Sequence, residues 1–507
     1  MLRILFAVSE LFPLVKTGGL GDVAGSLPRA VHAMGPDIRV VMPAYRQVFQ
    51  SIPEVKTLAV LEIERKPVRI LETLLPGSPL KIWLIDEPGL FDRPGNPYLS
   101  ANGSPWPDNA ARFALFCRTV CAIAMDRAAL SWRPDLVHCN DWQTGLVPAL
   151  LSLENSRPAT LFTLHNLAYQ GLFPYQTFVD LNLASHFWAI ESLEFHQQLS
   201  FIKGGLVYAD RINTVSPHYA REIQTAEFGY GLDGLLRFRS GILSGILNGI
   251  DTEIWDPRTD TRLPARYSET DLDKKRLNKK NLLERFNLAG DFSGPLIGCV
   301  GRLVHQKGVD LIAHILPSLA GFPMKFVLIG SGEPEYEGAL LRLAEKFPDR
   351  IAVNIGYDES LAHLIEGGCD LFLMPSRFEP CGLNQMYSLR YGTIPVVRNT
   401  GGLADTVIDA TPVTLKNNRA SGVVFDEANA GSLLEAIKRA FLLFRNPALW
   451  RKMQINGMLQ DFSWEHSAGQ YIDLYQKTCA TLEMGGTASD DRPTPGPSPG
   501  TATNLLN

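Results

Sequence analysis

The stretch Leu371–Val407, LFLMPSRFEPCGLNQMYSLRYGTIPVVRNTGGLADTV, constrains the fold most. The apolar run LFLMPS is short enough for a buried strand, and LNQMYSLRYG has helical spacing. The strand TIPVVRN then leads into a second helix, LADTVIDA, opened by Gly401 and Gly402. Two successive strand-turn-helix units imply a parallel sheet with helical crossovers. In such sheets ligands bind beyond the carboxyl ends of the strands. Glu379 occupies one of these turns, and Gly382, Leu383 and Asn384 follow it where helix N–H groups can meet an anion. Taken singly, Glu379 reads as a solvated loop carboxylate and the glycines as helix caps.

The same alternation runs through the whole chain. RILFAVSE precedes a helix with the apolar stripe Leu20, Val23, Ala24, Leu27, Ala30 and Val31. The turn between them, VKTGGL, sets Lys16 before Gly18 and Gly19, where a backbone without Cβ atoms lets phosphate come close. Alone, KTGG reads as a solvated lysine before a helix cap. DLVHCN leads into Asp141, and the strand TLFTL leads into His165 and Asn166, both at carboxyl ends of strands. PLIGCVGRL ends at Arg302, and Lys307 stands across the following turn. A guanidinium fork and a compact ammonium suit a diphosphate, although on spacing alone charged ends of an exposed helix fit as well.

A chain of 507 residues, 45% hydrophobic and 20% charged, can bury more than one core and reads as two or more domains. Its formal charge of −5, with no long basic block, argues against a general nucleic-acid surface. Seven scattered cysteines without paired C-x-x-C spacing argue against a disulfide framework or a structural zinc site. A cytoplasmic home is expected, with neither export nor membrane insertion, since charges interrupt every apolar run. Asp271 and Asp273 form a D-x-D, but they lead into a basic helix, where acids suit the helix start electrostatically. No metal and no cofactor are expected.

FEPCGL with NTGGLADTV, KTGGLGDV, HNLAYQG and GRLVHQKG together resemble the motifs of bacterial glycogen synthases and plant starch synthases. These are retaining glucosyltransferases of the GT-B type. The resemblance covers nearly the whole chain and implies an α/β fold of two Rossmann-like, doubly wound domains facing across a deep cleft. The expected divisions are an N-terminal domain over 1–247, a nucleotide-sugar domain over 248–465, a helix over 466–484 crossing back, and a flexible tail over 485–507, rich in Pro, Gly, Ser and Thr.

The resemblance further implies transfer of glucose from ADP-glucose to the non-reducing end of an α-1,4-glucan, with retention and release of ADP. Lys16, Gly18 and Gly19 fall in the donor site, and Asp22 borders the sugar. Asp141, His165 and Asn166 lie on the sugar side, His165 near the anomeric carbon. Arg302 and Lys307 bind the pyrophosphate, and Glu379, followed by Cys381, Gly382 and Leu383, holds sugar hydroxyls. Asn248 contributes an amide, with a plain turn role as its alternative. Tyr357 sits where adenine is expected, with a surface aromatic as the competing view. Tyr98 could stack on a sugar or merely pack its loop, and Glu10, close to Lys16 in sequence, is a lesser candidate for the donor cleft. The chain departs from the common pattern at Gln143, where a histidine is usual. It also has Tyr387 where many retaining GT-B enzymes carry a second glutamate, a departure that glycogen and starch synthases share. UDP-glucose as donor, or a silent nucleotide-sugar- or glucan-binding protein, are the alternatives.

Overall fold

The computed structural model describes residues 1–52, 54–100, 102–288 and 292–484. The tail expected over 485–507 lies outside the described residues. The chain divides into two compact units, one built from Met1–Ile212 with the chain from Ile472 onward, the other from Asn213–Tyr471.

The first unit contains β1 (Arg3–Ala7), β2 (Asp37–Pro43), β3 (Lys56–Ile63), β4 (Lys66–Leu74), β5 (Lys81–Asp86), β6 (Leu136–Asn140) and β7 (Ala159–Leu164). A small antiparallel sheet follows, of β8 (Leu172–Pro174), β9 (Glu194–Phe195) and β10 (Gln198–Ser200), and then β11 (Arg211–Thr214). The main sheet runs β11-β7-β6-β1-β2-β5-β4-β3. The pairs from β7 to β5 are parallel, whereas β4 joins β5 and β3 joins β4 in antiparallel fashion. Every residue of β6 and β7 is buried, as expected of strands covered on both faces. The β3–β4 hairpin closes through Glu64 and Arg65, both at positive φ, a turn whose twist matches that of the flanking strands.

The second unit opens with the short β12 (Leu243–Gly245) and holds β13 (Leu296–Leu303), β14 (Lys325–Gly332), β15 (Ile351–Ile355), β16 (Leu371–Met374), β17 (Ile394–Arg398) and β18 (Val423–Phe425). These last six form a sheet of order β15-β14-β13-β16-β17-β18, parallel throughout. The helix Val309–Leu319 buries Val309, Leu311, Ile312, Ile315, Leu316 and Leu319 along one stripe, a transfer contribution on the order of 10 kcal/mol before chain entropy is subtracted. Numbered by order of appearance, the parallel strands run 3-2-1-4-5 in the first unit and 3-2-1-4-5-6 in the second. That order reverses beside the first strand, between β1 and β6 and between β13 and β16, and opens a crevice there.

The units divide after Ile212, earlier than the expected boundary after residue 247, and a pair of helix caps supplies the physical reason. Helix Pro217–Glu222 and helix Gly401–Thr406 cap each other. Glu222 accepts the Gly401 N–H (3.1 Å) and the Thr400 hydroxyl (2.9 Å), while Asp405 accepts the His218 N–H (2.8 Å) and the Ser216 hydroxyl (2.6 Å). Each carboxylate meets unpaired donors at the positive end of the other helix. The glycine-led corner at Gly401 and Gly402 is therefore closed by Glu222, and by the Glu379 carbonyl that accepts the Gly402 N–H. Glu222→Ala should lower the thermal midpoint by several degrees, since two donors lose their partner at about 1–3 kcal/mol each. Glu222→Gln should recover part of that loss. Equal midpoints for the wild type and the alanine variant would remove the caps as the reason these segments group together.

Candidate functional site

In the first unit the predicted residues collect where β1, β6 and β7 end. Glu10 is only 3% exposed. Its carboxylate accepts the Thr17 N–H (2.6 Å), the Thr17 hydroxyl (2.5 Å), the Gly18 N–H (3.2 Å) and the Tyr98 hydroxyl (2.6 Å). This one side chain shapes the KTGG turn. The Tyr98 hydroxyl also pairs with Ser9 at 2.8 Å, and its ring lies tilted against Phe113. Burial, then the Glu10 charge, holds the phenol well above its usual pKa. Tyr98 thus braces Glu10.

Lys16 and Asp22 form an ion pair at 2.7 Å, both partly exposed. Exposed pairs of this kind are worth about 0–1 kcal/mol, so an incoming phosphate can take the lysine. A Cβ added at Gly18 or Gly19 meets nothing within 4 Å, and the Gly18 φ of −157° is open to any residue. Neither packing nor backbone conformation requires glycine at these two positions, and the clear space above them suits a ligand. Gly25 differs, since its Cβ would lie 2.6 Å from the Phe12 carbonyl.

Asp141 has φ 55° and ψ −178°, a region that costs a non-glycine residue about 1–3 kcal/mol. It is held there by the His165 N–H at 2.7 Å and the Asn166 N–H at 3.4 Å, both donating to Oδ1. Burial pushes its carboxyl up to about 7. Asn166 turns the chain by accepting the Ala168 N–H at 3.1 Å. Burial pushes the His165 imidazole down to about 3, so the ring is neutral. Asn140 spends its amide N–H on the Ala7 carbonyl, leaving Oδ1 to face His165 Nε2 at 2.9 Å. Nε2 therefore carries the hydrogen, and Nδ1, buried without a partner, is left as an acceptor. Such a nitrogen receives a hydrogen bond from a hydroxyl and cannot act as a cation. Gln143 is buried, and its Oε1 likewise lacks a partner. Trp142 packs among Phe113, Phe173 and Phe201, and Gly171 of HNLAYQG is needed because a Cβ there would lie 2.4 Å from the indole.

In the second unit Arg302, at the end of β13, is exposed. Lys307 Nζ lies 2.5 Å from Glu379 Oε2, and the Ser376 hydroxyl donates to the same oxygen at 3.0 Å. The two residues given separate tasks by the sequence are thus direct partners, with Glu379 buried and Lys307 partly exposed. Their turns are sewn together. Arg377 grips Asp310 with two bonds of 2.7 Å, and Gln306 donates to the Phe378 carbonyl at 3.2 Å. Arg398, which the sequence did not single out, donates to the Ser376 and Arg377 carbonyls. Gly308, at φ 67°, passes under Pro375, where a Cβ would meet the carbonyl at 2.2 Å.

Gly382 at φ 74° and Leu383 lead into helix Asn384–Arg390. Cys381 is buried, its thiol pushed up to about 12 by burial, with the Asn248 backbone N–H donating to it. It is therefore packing rather than a nucleophile. The Asn248 side chain is buried too, with Oδ1 unpartnered. Tyr357 is 79% exposed, and its hydroxyl donates to Glu359. Tyr387 stacks flat on Trp255 at 3.9 Å, and Trp255 stacks on His363 at 3.6 Å. Among the described residues no cluster of three or more His, Cys, Asp or Glu side chains could hold a metal ion.

The starch synthase catalytic domain family matches residues 3–238, and the group 1 glycosyl transferase family matches residues 283–454. Glycogen synthase 1 of Methylococcus capsulatus is 55% identical over 97% of this chain and 99% of its own length. The chain belongs to the glycogen synthase family. A glycogen synthase of Thioalkalivibrio sulfidiphilus is 53% identical over 94% of this chain and 99% of its own. Among solved structures, the catalytic domain of starch synthase IV from Arabidopsis thaliana, bound to ADP and acarbose, superposes with a TM-score of 0.84. It is 32% identical and covers 94% of this chain and 99% of its own. A sucrose-phosphate synthase from Thermosynechococcus elongatus, 18% identical with a TM-score of 0.60 over 95% of this chain and 100% of its own, shares the fold. The fold is GT-B, and the work of this glycogen synthase family member is glycogen synthesis.

The raised Asp141 carboxyl yields a test. A folded pKa above the unfolded value of about 4 means stability that is present at low pH and is lost as pH climbs toward about 7. Between pH 4 and pH 7 the wild type should lose a few kcal/mol relative to Asp141→Asn, by chemical denaturation at each pH. A constant gap between the two proteins would show that the carboxyl is not held up.

Proposed function

We propose that the chain transfers glucose from ADP-glucose to the non-reducing end of an α-1,4-glucan, with retention at the anomeric carbon and release of ADP. The observation that carries this reading is the buried Glu379 carboxylate bonded to Lys307 on a clamped turn at the strand-order reversal of the second unit. The ADP and acarbose bound to the plant starch synthase IV support an adenine nucleotide and an α-glucan as substrates.

A diphosphate arriving beside the exposed Arg302 competes for Lys307. The two cations then stabilise the charge that grows on the leaving group, while Glu379, released from its ion pair, balances positive charge on the sugar ring. Asn248 adds an amide to the same turn, and Tyr357, an exposed aromatic, meets the base. Lys16, drawn from Asp22, and the bare backbone of Gly18 and Gly19 serve the donor. His165 Nδ1 accepts a sugar hydroxyl, and Asp141 fixes the His165 and Asn166 backbone. The reaction as proposed draws its charge stabilisation from side chains, without a resident metal or cofactor. A reducing cytoplasm suits seven cysteines that form no disulfide.

The test supplies ADP-glucose or UDP-glucose with maltoheptaose and follows nucleotide release together with chain lengthening. Turnover with ADP-glucose is expected, and Lys307→Met should lower kcat by about 10²–10³-fold. Faster use of UDP-glucose would overturn the donor, and binding without turnover of either would leave a silent protein. Gly18→Ala should keep the wild-type thermal midpoint yet raise the KM for the donor about tenfold or more. An unchanged KM would show that the space above the turn is not used.

A further inference from the structure

The second unit carries a strained turn that the transfer groups leave unused. Just before the helix Asp233–Phe238, the Leu232 N–H donates to the Gly229 carbonyl at 2.8 Å and closes a four-residue turn. Its two central residues, Tyr230 and Gly231, have φ of 49° and 80°. Turns with this pair of signs take Gly, Asn or Asp at the first central position, because a larger side chain crowds the backbone there. Among the described residues of this unit the other non-glycines at positive φ are Asn287 and Asn418, a residue type that tolerates it. A tyrosine does not. The corner is nevertheless firmly built. A Cβ at Gly229 would lie 2.4 Å from Asp233 Cβ, and Asp233 pairs at 2.7 Å with Arg237, which donates to the Gln224 carbonyl at 2.7 Å.

What the turn gains from tyrosine is the side chain. Tyr230 is 40% exposed, and its ring stands 6.0 Å from that of Phe378 at 72°, an edge-to-face contact. Phe378 is the residue before Glu379. The backbone here is held by Gln306, which donates to the Phe378 carbonyl at 3.2 Å, and by the Gly402 N–H, which donates to the Glu379 carbonyl at 3.1 Å. The Glu379 carboxylate is held by Lys307 at 2.5 Å and by the Ser376 hydroxyl at 3.0 Å. A diphosphate that draws Lys307 away removes the stronger of these two tethers. A shift of the Glu379 backbone after Lys307 has to carry the Phe378 ring with it, and Tyr230 stands against that ring.

We propose that Tyr230 is a positioning residue for the transfer: through Phe378 it keeps Glu379 in place while the ion pair with Lys307 is open. The role rests on the functional reading above, and in it Tyr230 touches neither sugar nor phosphate. It acts after the donor has bound, so its loss shows in kcat and leaves the KM for the donor near the wild-type value. The strained corner makes sense on this reading, since a wall must be rigid to hold a neighbour, and backbone strain of this kind persists where the surroundings over-determine it.

The experiment compares the full-length wild type with Tyr230→Phe, Tyr230→Ala and Tyr230→Gly, assayed with ADP-glucose and maltoheptaose. Alanine keeps the positive φ without the ring, whereas glycine removes the strain as well, so the glycine variant should have the higher thermal midpoint of the two. Both should nevertheless lose kcat alike, about tenfold to a hundredfold for a displacement near 1 Å, with the donor KM within about twofold of wild type. Tyr230→Phe keeps the ring edge and should keep the wild-type kcat; a loss there would overturn positioning through the ring. A glycine variant whose kcat recovers along with its midpoint would show that the tyrosine serves stability alone, and wild-type kcat in either small variant would end the proposal too. Amide hydrogen exchange with ADP bound gives a readout without turnover. The peptide covering residues 376–380 should exchange about tenfold faster in Tyr230→Gly than in the wild type, and equal rates would overturn the proposal. A wild type that turns over neither donor would refute the transfer reading, while the exchange comparison would still decide whether Tyr230 holds the Glu379 turn.

Discussion

A parallel strand can be followed by another only after the chain has crossed back over the sheet, and in both units those crossings leave the first strand on opposite sides. Everything that matters chemically is a consequence of that constraint. Where the crossings part, beside β1 and β6 and again beside β13 and β16, the turns have no neighbour to fill the space between them. Glu10, Lys16, Asp141, Lys307 and Glu379 lie on those turns, and Arg302 at the end of β13. Residues far apart in sequence, such as Lys307 and Glu379, become bonded partners because β13 and β16 are adjacent in the sheet.

Two features of the polar groups recur. Two lysines that face these turns are each matched by one acid, Lys16 by Asp22 and Lys307 by Glu379. Each matched acid can be exposed by a better anion, so both pairs hold charge ready in the resting protein. The buried groups behave otherwise. Asp141 and His165 are kept near neutrality by loss of water, and their orientation is fixed by neighbours that use up all but one hydrogen-bonding position of the imidazole.

Much of this was legible in the sequence because it is local. Apolar runs of strand length, the Lys-Gly-Gly turn and the Gly-Arg-Leu turn announce their elements through neighbouring residues alone. The positions that escaped are those whose role depends on distant partners. Glu222 caps a helix that begins 179 residues later. Arg398 is read as part of a strand and yet clamps the turn before Glu379. Tyr98 looks like a sugar platform until Glu10 and Ser9 are seen to hold its hydroxyl. The division after Ile212 was hidden for the same reason, since the mutual caps involve two helices too short to register as periodic. At Gln143 the departure from the common pattern was visible at once, but its buried, unpartnered oxygen was not.

The Asn140–His165 contact also limits what kind of catalyst this can be. A ring whose hydrogen is committed to an amide oxygen, and whose burial keeps it uncharged through the whole physiological range, has no proton to lend and no easy way to relay one. In the proposed transfer, the hydrogen displaced from an attacking hydroxyl would therefore find its destination outside this imidazole, and the oxygen of the departing diphosphate is the strongest acceptor that such a reaction would create for itself.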